Sequence, residues 1–301
     1  MNTKPSLLAQ FDSEIVTSSS IPFCQIKNPL NVPLSQIEKL DLPWGWFITQ
    51  EKAEIAEFKP DSNWQPISLT FREDSADSNC EEGFLAKRIR IVVLHRSQIE
   101  VQQKIEDNKW LYAGLAYQNG QMSEQGHLTR SDRQNYRLRT RYLILFVDDN
   151  KQLLHKIPFQ IGMNAGAGSA FGDEVKAFRK EIEAAFFESI GQPVRDLSDR
   201  AHALTVLDLQ LGLHKKEGKA PYVCPKVRLV PTINKIGEER IVERRDRKVK
   251  LINQPLESFI VSKESETGQT ILRLQEEYRD IFTREPEELS DETVDEFDSD
   301  E

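Results

Sequence analysis

Apolar and polar positions alternate over short stretches through the first 160 residues, and the pattern predicts strands. Residues 21–26 read as an edge strand, because Pro22 has no N–H to give to a ladder, and residues 42–48 read as a second one. Residues 84–94 place Ile89, Ile91 and Val93 on one face of a single strand. Residues 98–107 fit a helix and a strand equally well. Residues 142–147 are rich in β-formers, Asp148-Asp149-Asn150 carries turn chemistry, and residues 153–161 return. Residues 136–161 are therefore expected to form a β-hairpin.

Past a glycine-rich bend (Gly162, Gly166, Gly168) the period changes. Val175, Phe178, Ile182 and Phe186 recur at helical spacing, Asp173 and Glu174 occupy a first turn, and Gly191 supplies a stop, which predicts a helix over 172–190. Strands follow at 205–211 and 223–231, then a strongly charged segment at 235–250. A last amphipathic helix over 269–282 groups Leu274, Tyr278 and Ile281. The expected fold class is α+β: mainly antiparallel β, a small barrel or sandwich of OB-like kind, with one or two packed helices and a disordered acidic C-terminal tail. The expected organisation is a flexible arm at 1–20, a β-rich core domain at 21–251, a strand and helix segment at 252–284, and the tail at 285–301.

Charge adds an asymmetry that the pattern does not show. Residues 285–301 hold ten acidic residues and no Lys or Arg, out of 49 acidic and 40 basic residues in the chain. The remainder is thus close to neutral, and the acidity belongs to an appendage that repels itself and buries little. Three widely spaced cysteines (Cys24, Cys80, Cys224) suit reduced thiols, and residues 1–20 lack the features of a signal peptide, so a cytoplasmic location is expected. No apolar run approaches the roughly 18 residues of a membrane span.

The candidate chemistry is basic and aromatic. In Arg137-Leu138-Arg139-Thr140-Arg141-Tyr142 the three arginines alternate, so they share one strand face, with Arg130 and Arg133 just upstream. Arg88 and Arg90 form a second alternating pair, Lys226 and Arg228 a third. Trp44, Trp46, Trp64, Trp110, Tyr112, Tyr117 and Tyr136 lie near basic positions, as stacking platforms for single-stranded nucleic acid do. Each feature has a plainer account: a solvated face, a pairing with the acidic stretch at 73–83, or core filling.

Enzyme signatures fail. Gly166-Ala167-Gly168 breaks the dinucleotide-binding pattern at its third glycine, the histidines show no HExxH, and the cysteines lack zinc-ligand spacing. No catalytic residue, metal or cofactor is expected.

In charge layout the chain resembles bacterial and phage single-stranded-DNA-binding proteins. That resemblance implies a strand-binding body whose acidic tail recruits partners or covers the basic groove. The tail's Asp295-Glu296-Phe297-Asp298 embeds an aromatic in acid, as such tails do. Leu42-Pro43-Trp44-Gly45-Trp46-Phe47 together with Arg139-Thr140-Arg141-Tyr142-Leu143-Ile144 resembles an uncharacterised bacterial family of unknown function. The expected function is non-enzymatic binding of single-stranded DNA or RNA. The alternative is a protein-interaction or assembly module whose tail binds a basic protein partner.

Overall fold

A computed structural model of the chain describes residues 21–28, 34–71, 79–106, 109–217 and 219–283. The expected arm and tail, and most of the acidic stretch at 73–83, lie outside the described residues. In chain order the elements are β1 (Phe23–Lys27), α1 (Leu34–Lys39), β2 (Gly45–Thr49), α2 (Gln50–Ile55), β3 (Trp64–Phe71), β4 (Asn79–Ala86), β5 (Arg88–Arg96), β6 (Glu100–Glu106) and β7 (Lys109–Leu115). A small hairpin, β8 (Tyr117–Gln118) and β9 (Gln121–Met122), leads into α3 (Glu124–Ser131), β10 (Tyr136–Phe146), β11 (Phe159–Asn164) and α4 (Ala165–Ser189). The chain continues through α5 (Asp199–His202), β12 (Val206–His214), β13 (Tyr222–Thr232), β14 (Glu239–Arg244), β15 (Arg247–Pro255), a 3-10 turn (Leu256–Phe259) and α6 (Glu266–Glu277).

The α+β class holds, on a mixed sheet. Its strands run β14-β15-β13-β12-β5-β10-β11-β1-β2-β4-β3, with β6 beside the start of β10 and β7 outside β6. The β1–β11 and β13–β15 pairs are parallel. No closed barrel forms among the described residues, because β14 and β3 end the path and pair on one side only. The path does fold back on itself: only Lys87 separates β4, which pairs with β2, from β5, which pairs with β10 and β12. The expected single strand over 84–94 is therefore two halves of one bent strand. The aromatic core (Trp46, Phe58, Trp64, Phe146, Phe159, Phe171) fills the concavity.

The 136–161 hairpin forms, with a longer connection than expected. The turn sits where Asp148 predicts it, the Asp148 N–H donating to the Gln152 carbonyl at 2.9 Å. Beyond a Val147–Leu153 bridge and the Leu154 N–H bond to the Phe146 carbonyl, the ladder with β10 resumes at Phe159, and between them the buried His155 ring accepts the Phe146 N–H at 2.7 Å. β1 and β2 are interior strands and not edges. Pro22 precedes its ladder, where its carbonyl accepts the Gln160 N–H at 2.8 Å.

The long helix absorbs the glycine-rich bend and starts at Ala165. At Gly168 a side chain would meet the Met163 carbonyl oxygen at 2.8 Å, so the glycine permits a close turn there. Residues 98–107 resolve to a strand, and the charged segment 235–250 to the β14–β15 hairpin. The last helix begins three residues early, capped by Ser265, whose hydroxyl accepts the Gly268 N–H at 3.0 Å.

Candidate nucleic-acid interface

Strand register decides where the basic residues go, because directly opposed residues share a face. Arg90 opposes Asp208 and Arg88 opposes Gln210, whereas Arg228 opposes Leu209, the neighbour of both. Arg228 therefore projects from the opposite face of the sheet, the face that α4 covers. Along β10 the stripe Arg137, Arg139, Arg141 continues as Leu143 and Leu145, on the same side as Arg88 and Arg90. Val92, Leu94, Leu143 and Leu145 lie between the two basic sets, sealed under Ile271 and Leu274 of α6. The three stripes thus form no continuous basic face.

Most of these cations are neutralised inside the chain. Arg88 grips Asp208 with both arms of its fork, at 3.0 and 2.7 Å. Arg90, buried, donates to the Asp148 carbonyl at 2.7 Å and pairs with Asp208 at 3.1 Å and Asp149 at 3.2 Å. Arg228 is 0% exposed and bonds Glu174 at 2.8 Å and Glu181 at 2.7 Å, both on α4. Burial pulls its pKa down, and the two carboxylates more than offset that pull. The Lys226 ammonium sits 3.3 Å from His214 Nδ1. These groups stitch the sheet to itself and to α4.

The aromatic candidates separate as well. Trp46 is core, edge-on to Phe171 at 5.9 Å. Trp44 precedes β2, half-buried, with the Lys87 ammonium 4.5 Å from its ring centroid. They offer no shared platform.

One region does bring arginines and aromatics together. Arg137 opposes Gln102 on β6, and Gln102 opposes Tyr112 on β7; two residues along the same face, Lys104 opposes Trp110. The Arg137 guanidinium lies over the Trp110 ring, 4.1 Å from its centroid, while its Nε donates to Gln102 Oε1 at 3.0 Å. Arg139, half-buried, folds its guanidinium over Gly162, where any side chain would collide with it. Arg141, buried, is held bidentately by Glu100, its Nη2 donating to Oε1 at 2.6 Å and its Nε to Oε2 at 3.1 Å, and packs on the Phe282 ring at 4.9 Å. Tyr136 is half-buried at the head of β10, and Arg130 on α3 and Arg133 beyond it are exposed. Trp110 and Tyr112 are half-buried along β7, an outer strand.

The sequence reading missed the β6 side chains Glu100 and Gln102, which hold Arg141 and Arg137. Their alternation with Val101 and Ile105 is broken by Gln103, so the strand period there is weak. The tail residues Asp295, Glu296, Phe297 and Asp298 lie outside the described residues. Among those described, no group of three or more His, Cys, Asp or Glu is placed to hold a metal ion, and no helix is long and apolar enough to cross a membrane.

The fold and this face define an α+β protein with a curled mixed sheet and an arginine–aromatic patch on one outer flank. The chain belongs to the family described as a domain of unknown function (DUF5895), which matches residues 18–238. No curated protein and no solved structure matches it. The family match stops just before β14, yet β15 beyond it pairs in parallel with β13 as part of the same sheet.

Proposed function

We propose that this protein binds single-stranded nucleic acid without catalysing a reaction, through the β10–β6–β7 face, in the cytoplasm. The observation that carries the reading is the Arg137–Trp110 stack, flanked by Tyr112 and Lys104 and continued along β10 by Arg139. The half-open Trp110 ring offers a plane for base stacking and half-buried Arg139 a cation for phosphate, the two contacts that a single strand uses, while Arg137, 8% exposed, braces the ring. Exposed Arg130 and Arg133 extend the positive ground beside it. The bent β4–β5 strand, shared between β2 and β10, supports a barrel-like, OB-type account of this part of the sheet. Phe282 against Arg141 brings the chain leading to residues 285–301 alongside the same face, which suits an acidic tail that competes with phosphate.

A fluorescence titration with oligo-dT at two salt concentrations tests this. Binding should be saturable and weaken at higher salt, and Trp110→Ala should lower affinity by roughly ten-fold, the loss of about one base stack. Absence of binding at low salt rejects the reading.

One observation favours the protein-interaction alternative. β14 ends the sheet with an open edge and carries Ile241 at 69% exposure, beside Ile236 at 58%. An exposed apolar edge strand is a ready template for another chain. In that reading the tail engages a basic partner, and Ile241→Lys abolishes capture of that partner while leaving oligo-dT binding untouched.

A further inference from the structure

The structure assigns a second anion site, for a phosphate group, at the N-terminus of α4, built from Gly166, Ser169, Tyr222, Arg245 and Arg247. The helix has 25 residues, and its N-cap Asn164 makes no side-chain capping bond. Ala165 and Gly166 are exposed, so first-turn N–H groups that lack intrahelical acceptors face solvent. The Tyr222 ring closes one side: a side chain on Gly166 would meet its Cζ at 3.3 Å.

A helix N-terminus alone does not make a site. Arg247 is the independent observation. Its side chain is 2% exposed, and neither terminal nitrogen makes a hydrogen bond of normal length; the Cys224 thiol beside them is a weak acceptor. The carboxylate it pairs with is Asp173 on α4, at 3.6 Å, outside hydrogen-bond reach, and Asp173 also pairs with Arg245 at 3.4 Å. Two guanidiniums thus share one carboxylate. On the same flank Asp246 is occupied by Lys216 at 2.8 Å and His214 at 3.4 Å, which leaves Lys226 as further positive charge. Ser169 and Asp173, one turn apart on α4, bring both arginines to the same stretch of the helix, Arg245 to both side chains and Arg247 to Asp173.

A buried guanidinium with open donors lacks the acceptors that such a group normally has. A tetrahedral oxyanion supplies several at once, which a single distant carboxylate does not. Arg245 gives access. Its side chain is 66% exposed and crosses to the Ser169 hydroxyl, so a rotamer change swings it off the helix end and uncovers Arg247. Phosphate then accepts from the α4 amides, Ser169, Arg245 and Arg247.

The test uses the full chain and inorganic phosphate, read by calorimetry and by the thermal midpoint, against sodium chloride at matched ionic strength. We expect saturable stabilisation by phosphate beyond chloride, reduced at least ten-fold in affinity by Arg245→Glu and by Arg247→Gln. Arg245 is exposed, so its variant reports even where the Arg247 variant does not fold. Equal effects of phosphate and chloride, or full phosphate affinity in Arg245→Glu, overturn the site. The source of the phosphate follows from a competition arm: displacement by oligo-dT means a strand's backbone, and undisturbed binding means a free phosphorylated ligand. The site does not rest on the β10–β6–β7 face, and Arg245→Glu should leave the Trp110-dependent part of oligo-dT binding in place.

Discussion

Two arginines placed by the same alternating strand pattern have opposite fates. Arg228 on β13 faces α4 and is sealed at 0% exposure between Glu174 and Glu181, whereas Arg137 on β10, itself only 8% exposed, bonds the Gln102 amide and stacks on a half-exposed tryptophan of the outer strand β7. The difference lies in what the neighbouring element carries. α4 presents carboxylates seven residues apart, two turns along one face, while β6 and β7 present an amide, a lysine and two aromatics. An arginine stripe in sequence therefore identifies a strand that needs a partner, and the partner decides between structure and binding.

The comparison breaks most sharply at Arg228. Truncation to Ala leaves Glu174, 0% exposed, with the partly exposed Arg244 at 3.3 Å as its remaining cation, and should cost roughly 3 kcal/mol in urea unfolding at pH 7, the low end for breaking a buried pair. Arg228→Met with Glu174→Gln removes both buried charges and should recover much of that loss. Oligo-dT affinity should stay unchanged in whatever fraction folds. A loss below about 1 kcal/mol in the single variant means that Arg228 is no structural lock.

The next largest effect lies at the packed end of β10. Burial holds the His155 pKa at about 4, below its ordinary 6.5, with the Ile157 carbonyl opposing the shift only in part. Between these values the unfolded chain takes up a proton that the folded chain refuses. Stability is therefore full above pH 6.5 and falls as the pH drops towards 4, by roughly 3 kcal/mol at about 1.4 kcal/mol per unit. His155→Asn, which keeps an acceptor for the Phe146 N–H, should flatten that part of the unfolding profile. An identical slope in the variant assigns the acid loss elsewhere.

Neutralising the β10 stripe should weaken binding at a smaller cost in stability than the loss of Arg228. Arg141 must be left in place, because its loss strands the buried Glu100. In Arg137→Gln/Arg139→Gln the slope of log affinity against log salt should fall by about 0.7 for each lost phosphate contact. Urea stability should change by about 1 kcal/mol, a hydrogen bond or two. An unchanged slope in the folded double variant moves the binding site away from β10.

The local features of the fold were legible in sequence. The Asp148 turn, the apolar face of Val175, Phe178 and Ile182, and the Gly191 stop each depend on neighbours within a few residues. What depends on distant register was not. Asp208 lies 120 residues from Arg88, and Glu174 lies 54 from Arg228, so no local pattern signals that those cations are already paired. Pro22 shows the same limit: a missing N–H predicts an edge, but the proline falls just before the ladder and leaves β1 interior. At the candidate site, the β10 stripe and the aromatics Trp110 and Tyr112 were legible. Their contact was not, because residues 98–107 carry too weak a period to establish β6 as the strand that joins them.

The smallest expected effect is the one that most sharpens the contrast between the two arginine environments. Residues 285–301 carry ten negative charges on a tether that leaves from Phe282, in contact with Arg141. A tethered polyanion keeps a high local concentration at a nearby basic face and competes there with phosphate. Deleting residues 285–301 should tighten oligo-dT binding several-fold at low salt, and the gain should shrink as the Debye length falls from about 30 Å at 0.01 M to about 8 Å at 0.15 M. The Arg228 cluster, sealed beneath α4, should not sense the deletion, so urea stability and the Arg228→Ala loss should be the same with and without the tail. A gain that persists at high salt points to steric obstruction and not charge competition. No gain at any salt separates the tail from the β10 face, and capture of a basic protein partner is then its remaining role.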